Sequence, residues 1–127
     1  MDRKKILVVD DELEFLNMIK LRLEANDYEV MVASDGKEAL DKIKKHKPDA
    51  VLLDILLPGM NGLEVLKKIR SDNKKLPVFI ITAFSSAERF ELANKFNASG
   101  FIVKTEDLKK EVENITNSIR IAGKFKG

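Results

Sequence analysis

Four short apolar runs punctuate the chain at 6–9 (ILVV), 50–53 (AVLL), 78–81 (VFII) and 101–103 (FIV), with no polar residue inside any of them. A strand with one face in water alternates apolar and polar residues. A run that is apolar throughout suits a strand covered on both faces, as in a parallel sheet. A fifth run, 29–33 (EVMVA), is more polar and is expected nearer a sheet edge. Between the runs the apolar spacing lengthens to three and four residues. Leu16, Ile19 and Leu23 form one stripe, Ala39, Leu40 and Ile43 a second, and Leu63, Leu66 and Ile69 a third. Ala87, Phe90, Ala93 and Phe96 form a fourth; Leu108, Val112, Ile115 and Ile119 form the cleanest, ending near Gly123. Each is apolar on one side only, as a helix lying on a sheet must be.

Strand and helix therefore alternate five times, which implies right-handed crossovers and an α/β fold with helices on both faces of a parallel sheet. By fold-level analogy, five such units suit the doubly wound, flavodoxin-like (βα)5 arrangement of strand order 2-1-3-4-5. There, ligands sit outside the carboxyl ends of the strands. At 127 residues the chain makes one domain. That domain is expected over 1–122, with 123–127 a frayed tail.

Composition narrows the function classes. Basic and acidic side chains number 23 and 21, so the chain lacks the positive excess of a dedicated nucleic-acid module. Lys42, Lys44, Lys45 and Lys47 gather around His46, which reads as a solvated helix face with no phosphoryl-carrying role for the histidine. Without cysteine there is neither a disulfide framework nor a thiolate metal site. The four-residue apolar run behind the basic start cannot serve as a signal-peptide core or a membrane span. A cytoplasmic protein with no membrane partner is expected.

The polar residues at the strand ends carry the chemistry. Asp10 and Asp11 follow the first run, Asp54 the third, Thr82 the fourth and Lys104 the fifth. In a parallel sheet these ends share one edge, and strands 1, 3, 4 and 5 are neighbours in the expected order. Singly, each has an ordinary explanation: an Asp can cap the first helix, and Thr82 or Lys104 can be a plain strand-end residue. Together they place three carboxylates, a hydroxyl and an ammonium on one small patch. Clustered carboxylates repel unless positive charge sits among them. Lys104 supplies one charge, and Mg²⁺ suits an all-oxygen, half-open site. A carboxylate beside such an ion can attack phosphorus and form an aspartyl phosphate. The ammonium and hydroxyl would then stabilise charge on the transferring oxygens.

These residues also carry a family likeness. Ile6-Leu7-Val8-Val9-Asp10-Asp11-Glu12 resembles the opening strand and acidic pair of bacterial response-regulator receiver domains. The segment from Asp54 through Pro58 and Gly62 to Glu64 is similar to their phosphoacceptor loop, and Thr82-Ala83 resembles their switch hydroxyl and its small neighbour. Phe101-Ile102-Val103-Lys104 looks like their last strand. The likeness spans about residues 4–121. It implies a phosphorylation-dependent switch of a two-component system rather than a turnover enzyme. Asp54 would accept phosphoryl from a histidine kinase or phosphotransfer protein. Asp11, Asp54 and the Leu56 backbone carbonyl would bind Mg²⁺ directly, and Asp10 would act largely through water. Lys104 would pair with a phosphoryl oxygen, Thr82 would move to bond another, and Phe101 would swing inward. The readout surface would be the fourth helix, fifth strand and fifth helix, roughly residues 86–121, meeting a downstream protein.

The chain departs from the family pattern in several places. Thr105 follows Lys104 where proline is usual. A non-proline cis bond costs about 3–4 kcal/mol, so a trans peptide or a strained turn is expected, with Lys104 less firmly positioned. Leu56 and Phe84 flank the phosphoryl site without an amide or carboxylate to orient water, which predicts slow autodephosphorylation. Asn61 replaces a common Asp, and Phe101 keeps the bulk of the usual tyrosine without its hydroxyl.

Rival readings fit less well, a flavin- or nucleotide-binding domain least, since no Gly-rich loop follows the first strand. An aspartyl-nucleophile phosphatase needs an acid/base carboxylate two residues after the nucleophile, where Leu56 stands. An inactive receiver, serving only as an interaction module, should lack some of the five polar residues, and all are present. With no output domain after the fifth helix, the chain reads as a stand-alone regulator or the receiver piece of a longer one. Lys109, Lys110, Glu111 and Glu113 are expected on or near the exposed side of that helix, which permits homodimerisation.

Overall fold

The computed structural model describes residues 3–83, 85–105 and 107–125. Five strands and five helices alternate: β1 (Lys5–Val9), α1 (Leu13–Ala25), β2 (Glu29–Ala33), α2 (Gly36–His46), β3 (Ala50–Leu53), α3 (Gly62–Asp72), β4 (Val78–Thr82), α4 (Ala87–Lys95), β5 (Gly100–Val103) and α5 (Leu108–Phe125). The strands form one parallel sheet of order β2-β1-β3-β4-β5, which is the doubly wound α/β arrangement that the alternation predicts. The polar β2 is an edge strand, and β5 is the other edge.

Side chains alternate across each strand, so an all-apolar run feeds two cores. Leu7, Val9, Val51, Leu53, Val78 and Ile80 meet Ala39, Leu63, Leu66, Ile69 and Ala93 from α2, α3 and α4. Ile6, Val8, Leu52, Phe79 and Ile81 meet Phe15, Leu16, Ile19 and Leu23 of α1 and Val112, Ile115 and Ile119 of α5 on the opposite face. Both cores end at the carboxyl edge. Among the described residues no helix is long and apolar enough to cross a membrane.

Two helices differ from expectation. On α4, Ala87 and Phe90 are exposed; Ala93 is buried, and Leu92 and Phe96 pack against the core. A strict three-residue spacing drifts about 60° per step against a 3.6-residue turn, so the early members of that stripe rotate off the sheet. Helix α5 passes through Gly123 and continues to Phe125, which extends the ordered unit past the expected boundary at 122. One glycine costs a helix only about 1 kcal/mol, too little to stop one anchored by buried Val112, Ile115 and Ile119. Residues 126 and 127 of the expected tail lie outside the described residues. Of the lysine-rich stretch, Lys44, Lys45, His46 and Lys47 are exposed as expected, whereas Lys42 is half-buried, its Nζ donating to Val32 O at 2.5 Å.

Candidate functional site

The sheet's register determines which side chains meet. Val9 pairs with both Ala33 and Leu53, and Thr82 pairs with Val103. The ladder continues one residue further: Asp10 N–H donates to Ala33 O at 3.0 Å, Asp54 N–H to Val9 O at 3.0 Å, and Lys104 N–H to Thr82 O at 2.8 Å. Asp10 and Asp54 thus leave the sheet at one level, and Lys104 leaves it two residues further along on the far side of β4. Their backbones are held by strand geometry before any side-chain contact forms.

Lys104 joins the site. Its Nζ lies 2.5 Å from Asp10 Oδ2, 3.3 Å from Glu12 Oε1 and 3.4 Å from Asp54 Oδ2. It also sits 4.1 Å from the centroid of the Phe15 ring, whose face attracts a cation. The lysine side chain is 8% exposed and that of Asp10 is fully buried, so the pair is shielded from solvent. Burial alone would lower the Lys104 ammonium. The Asp10 hydrogen bond and charge, with help from Asp54 and Glu12, outweigh it and hold its pKa above the ordinary lysine value. Burial pushes the Asp10 carboxyl up; the Lys104 and Glu12 N–H hydrogen bonds offset this only in part.

The loops are shaped to present these groups. Asp10 Oδ1 accepts the Glu12 N–H at 2.9 Å, which turns the chain into α1. Asp54 Oδ1 accepts its neighbour Ile55 N–H at 2.7 Å and leaves Oδ2 towards Lys104. After Asp54 the chain loops back on itself. Gly62 N–H donates to Ile55 O at 2.8 Å, and a Cβ at Gly62 would stand 1.9 Å from the Asp54 carbonyl oxygen. Only glycine permits that approach. Gly59, with φ of +78°, makes the reversal within the same loop. Asn61 is the N-cap of α3, its side chain accepting the Leu63 N–H at 2.7 Å, which gives the residue a structural reason to be there.

Not every expected residue joins the cluster. The carboxylates whose oxygens lie within 4.8 Å of one another are those of Asp10, Glu12 and Asp54. Asp11 is exposed and stands outside that group. Leu56 is 41% exposed beside the site. Thr82 is fully buried at the end of β4. Phe101 is half-buried, its ring 5.5 Å from that of Phe90 on α4 in an edge-to-face contact. Phe84, expected to influence phosphoryl lifetime, lies outside the described residues.

No cis peptide bond occurs among the described residues, so Lys104–Thr105 is trans. The loosely positioned Lys104 expected from the missing proline is not found. Three carboxylates and Phe15 hold its side chain, and the Thr105 N–H that replaces proline's ring donates to Glu111 Oε1. Glu111 itself is buried, not on the exposed side of α5. Its position was readable: it stands three residues after Leu108 and four before Ile115, on the apolar stripe. Glu12 was also missed as a site residue, because only the turn at Asp10 brings it back towards Lys104.

The cluster suits a hard divalent cation. Its donors are all carboxylate oxygens, and three negative groups share one ammonium, leaving two negative charges unbalanced.

The family model for the response regulator receiver domain matches residues 6–116. The chain is 45% identical over 80 residues to the alkaline phosphatase synthesis transcriptional regulatory protein PhoP of Bacillus subtilis, covering 63% of this chain and 33% of that protein. It is 37% identical over 116 residues to the response regulator ArlR of Staphylococcus saprophyticus, covering 91% and 52%. The chain thus spans between a third and about half the length of these curated relatives. A response regulator receiver domain protein (CheY-like) from Methanospirillum hungatei superposes with a TM-score of 0.89 at 30% identity, covering 97% of this chain and 98% of that one.

Proposed function

The chain belongs to the response regulator receiver domain family, and from that premise we propose that Asp54 is the residue that takes the phosphoryl group. Receiver domains are phosphorylation-dependent switches of two-component systems, phosphorylated by histidine kinases and using Mg²⁺. The observation that carries the assignment is the placement of Asp54 Oδ2 towards a buried ammonium, while Oδ1 is tied to the Ile55 N–H.

In this reading an Asp54 carboxylate oxygen attacks phosphorus as the bond to the donor's nitrogen breaks, leaving an acyl phosphate. Mg²⁺, when bound, supplies charge that offsets the negative oxygens of the transferring group. Asp54 and the Leu56 carbonyl would hold the ion, with Asp10 and Glu12 as clustered carboxylates beside them; Asp11, exposed outside that group, would join by turning inward. Lys104 then pairs with a phosphoryl oxygen. Thr82 turns to bond a second, and Phe101 exchanges its contact with Phe90 for the space released. Such a local charge event biases a two-state packing arrangement.

The readout surface in this proposal is α4, β5 and α5. Phe90, Val103 and Ile121 are 48%, 43% and 56% exposed there. A groove of about 720 Å³ runs alongside, lined by Phe101, Val103, Thr105, Lys110, Asn114 and Ile121 among others. Exposed apolar side chains of this kind suit a protein partner. Leu56 and Phe84 offer no group to activate water, so the acyl phosphate is expected to be long-lived.

Intact-mass spectrometry after incubation with a small phosphoryl donor, with Mg²⁺ or with EDTA, tests the reading. A Mg²⁺-dependent single adduct that disappears in Asp54→Ala is the expected result. Failure to form any adduct would favour the phosphorylation-independent interaction module instead.

A further inference from the structure

Glu111 sits on the first turn of α5 with its side chain enclosed, 1% exposed, on the stripe that is otherwise apolar. Its Oε1 accepts the Thr105 N–H, and its Oε2 is buried without a hydrogen-bond partner among the described residues. Burying a carboxylate with one oxygen unmet is costly. The interaction it does make therefore needs a reason beyond packing.

That reason lies one residue upstream. The Lys104–Thr105 peptide carries the lysine of the site. On one side, Lys104 N–H is fixed to Thr82 O at 2.8 Å. On the other, the Thr105 N–H lies beyond the strand ladder in an exposed residue, where Glu111 rather than water takes it. A proline at 105 would carry no such donor; threonine does, and Glu111 meets it. The loop is closed further by Thr105 Oγ1, which accepts the Asp107 N–H at 3.2 Å, and by Asp107 Oδ1, which accepts the Lys110 N–H at 3.1 Å. Asp107 so starts the helix from which Glu111 reaches back. A carboxylate in that first turn is also favoured by the helix dipole.

We propose that Glu111 is a positioning residue for phosphoryl transfer: by gripping the Thr105 N–H it fixes the peptide that aims Lys104 at Asp54. The inference rests on the reading of Lys104 as the phosphoryl-oxygen partner. Glu111 does not touch the reacting atoms; it acts through Lys104 alone.

The test is a double-mutant cycle on the rate of adduct formation with phosphoramidate at saturating Mg²⁺, read by intact mass. Glu111→Leu should slow the reaction about tenfold, since a misplacement of about 1 Å can cost a hundredfold. Glu111→Gln retains an acceptor oxygen and should stay within about twofold of wild type. In a Lys104→Ala background, Glu111→Leu should have no further effect, because the group it positions is gone. A slowing that persists undiminished in that background would show a general structural role and overturn the proposal. So would a wild-type rate in Glu111→Leu, or an equal loss in Glu111→Gln. A Lys104→Ala protein as fast as wild type would refute the reading of Lys104 first, and this proposal with it. Should Glu111→Leu fail to fold, Glu111→Asp, one methylene short of the Thr105 N–H, enters the same cycle.

Discussion

Replacing Lys104 by Met tests the charge balance of the site most directly, because the substitution keeps the length of the stem and removes only the ammonium. At 2.5 Å from Asp10 Oδ2, the attraction is about 7 kcal/mol at an effective dielectric near 20. Most of that is consumed by stripping water from both groups. What remains measurable is the cost of leaving the partner alone, about 3 kcal/mol for a buried pair broken on one side. Asp10 would keep its hydrogen bond from the Glu12 N–H but face Asp54 with no cation between them. For a chain of 127 residues that loss lowers Tm by about 12 °C.

The pH dependence gives the sign. The folded Asp10 carboxyl already titrates above its ordinary value, so the folded state holds its proton longer and stability falls as pH rises through that range. Lys104→Met removes the hydrogen bond and charge that restrain this shift, moving the folded value further up. The ammonium's own raised pKa means that its contribution is fully present at neutral pH and is lost only above the ordinary lysine range. The gap between variant and wild type should therefore be widest at neutral pH and narrow as pH falls and Asp10 takes up its proton. Urea unfolding followed by far-ultraviolet circular dichroism in EDTA measures this. Equal stability of the two proteins at neutral pH, or a gap that widens towards acid, would refute the reasoning.

Three further outcomes follow from the same geometry. Asp54→Ala leaves the Asp10–Lys104 pair intact and removes a like charge from a nearly buried position. It should raise stability in EDTA by about 1 kcal/mol while abolishing the phosphoryl adduct; a loss of stability would count against the repulsion. Gly62→Ala drives a methyl into the Asp54 carbonyl oxygen, 1.9 Å from the ideal Cβ. It should cost about 3 kcal/mol and slow adduct formation, as thermal melts and intact mass would show. Asn61→Ala removes the α3 cap and should cost about 1 kcal/mol, whereas Asn61→Asp, which keeps an acceptor at the helix start, should melt at or above the wild-type temperature.

The sheet was legible because its signal is local and repeated. The all-apolar runs at β1, β3 and β4 are dictated by burial on both faces, and the more polar β2 indicated the edge it occupies. From that order the meeting of Asp10, Asp54 and Lys104 followed, since each lies at the carboxyl end of its own strand; Thr82 ends β4 on the same edge, buried. Sequence spacing misleads where a side chain's direction depends on a turn rather than on strand or helix period. Asp11 and Glu12 are adjacent, yet the hydrogen bond from the Glu12 N–H to Asp10 brings Glu12 to the ammonium and leaves Asp11 in solvent. The α4 stripe failed through the drift of its three-residue spacing, not through any error in its composition.

Thr105 shows how a departure from a family pattern can be misjudged when it is weighed by one property alone. Losing proline was expected to loosen Lys104, because a ring that restricts the backbone had gone. The same substitution restores a backbone donor, and a donor can be gripped by an acceptor wherever the fold brings one close. Here Glu111 does so from six residues away, on the face of α5 that should be apolar. The two changes, threonine at 105 and a buried carboxylate at 111, are each unfavourable alone: an unmet N–H in one case, a desolvated charge in the other. Only as a pair do they stabilise the loop. A local rule broken twice, six residues apart, is thus better read as a single substitution of one clamp for another than as two defects.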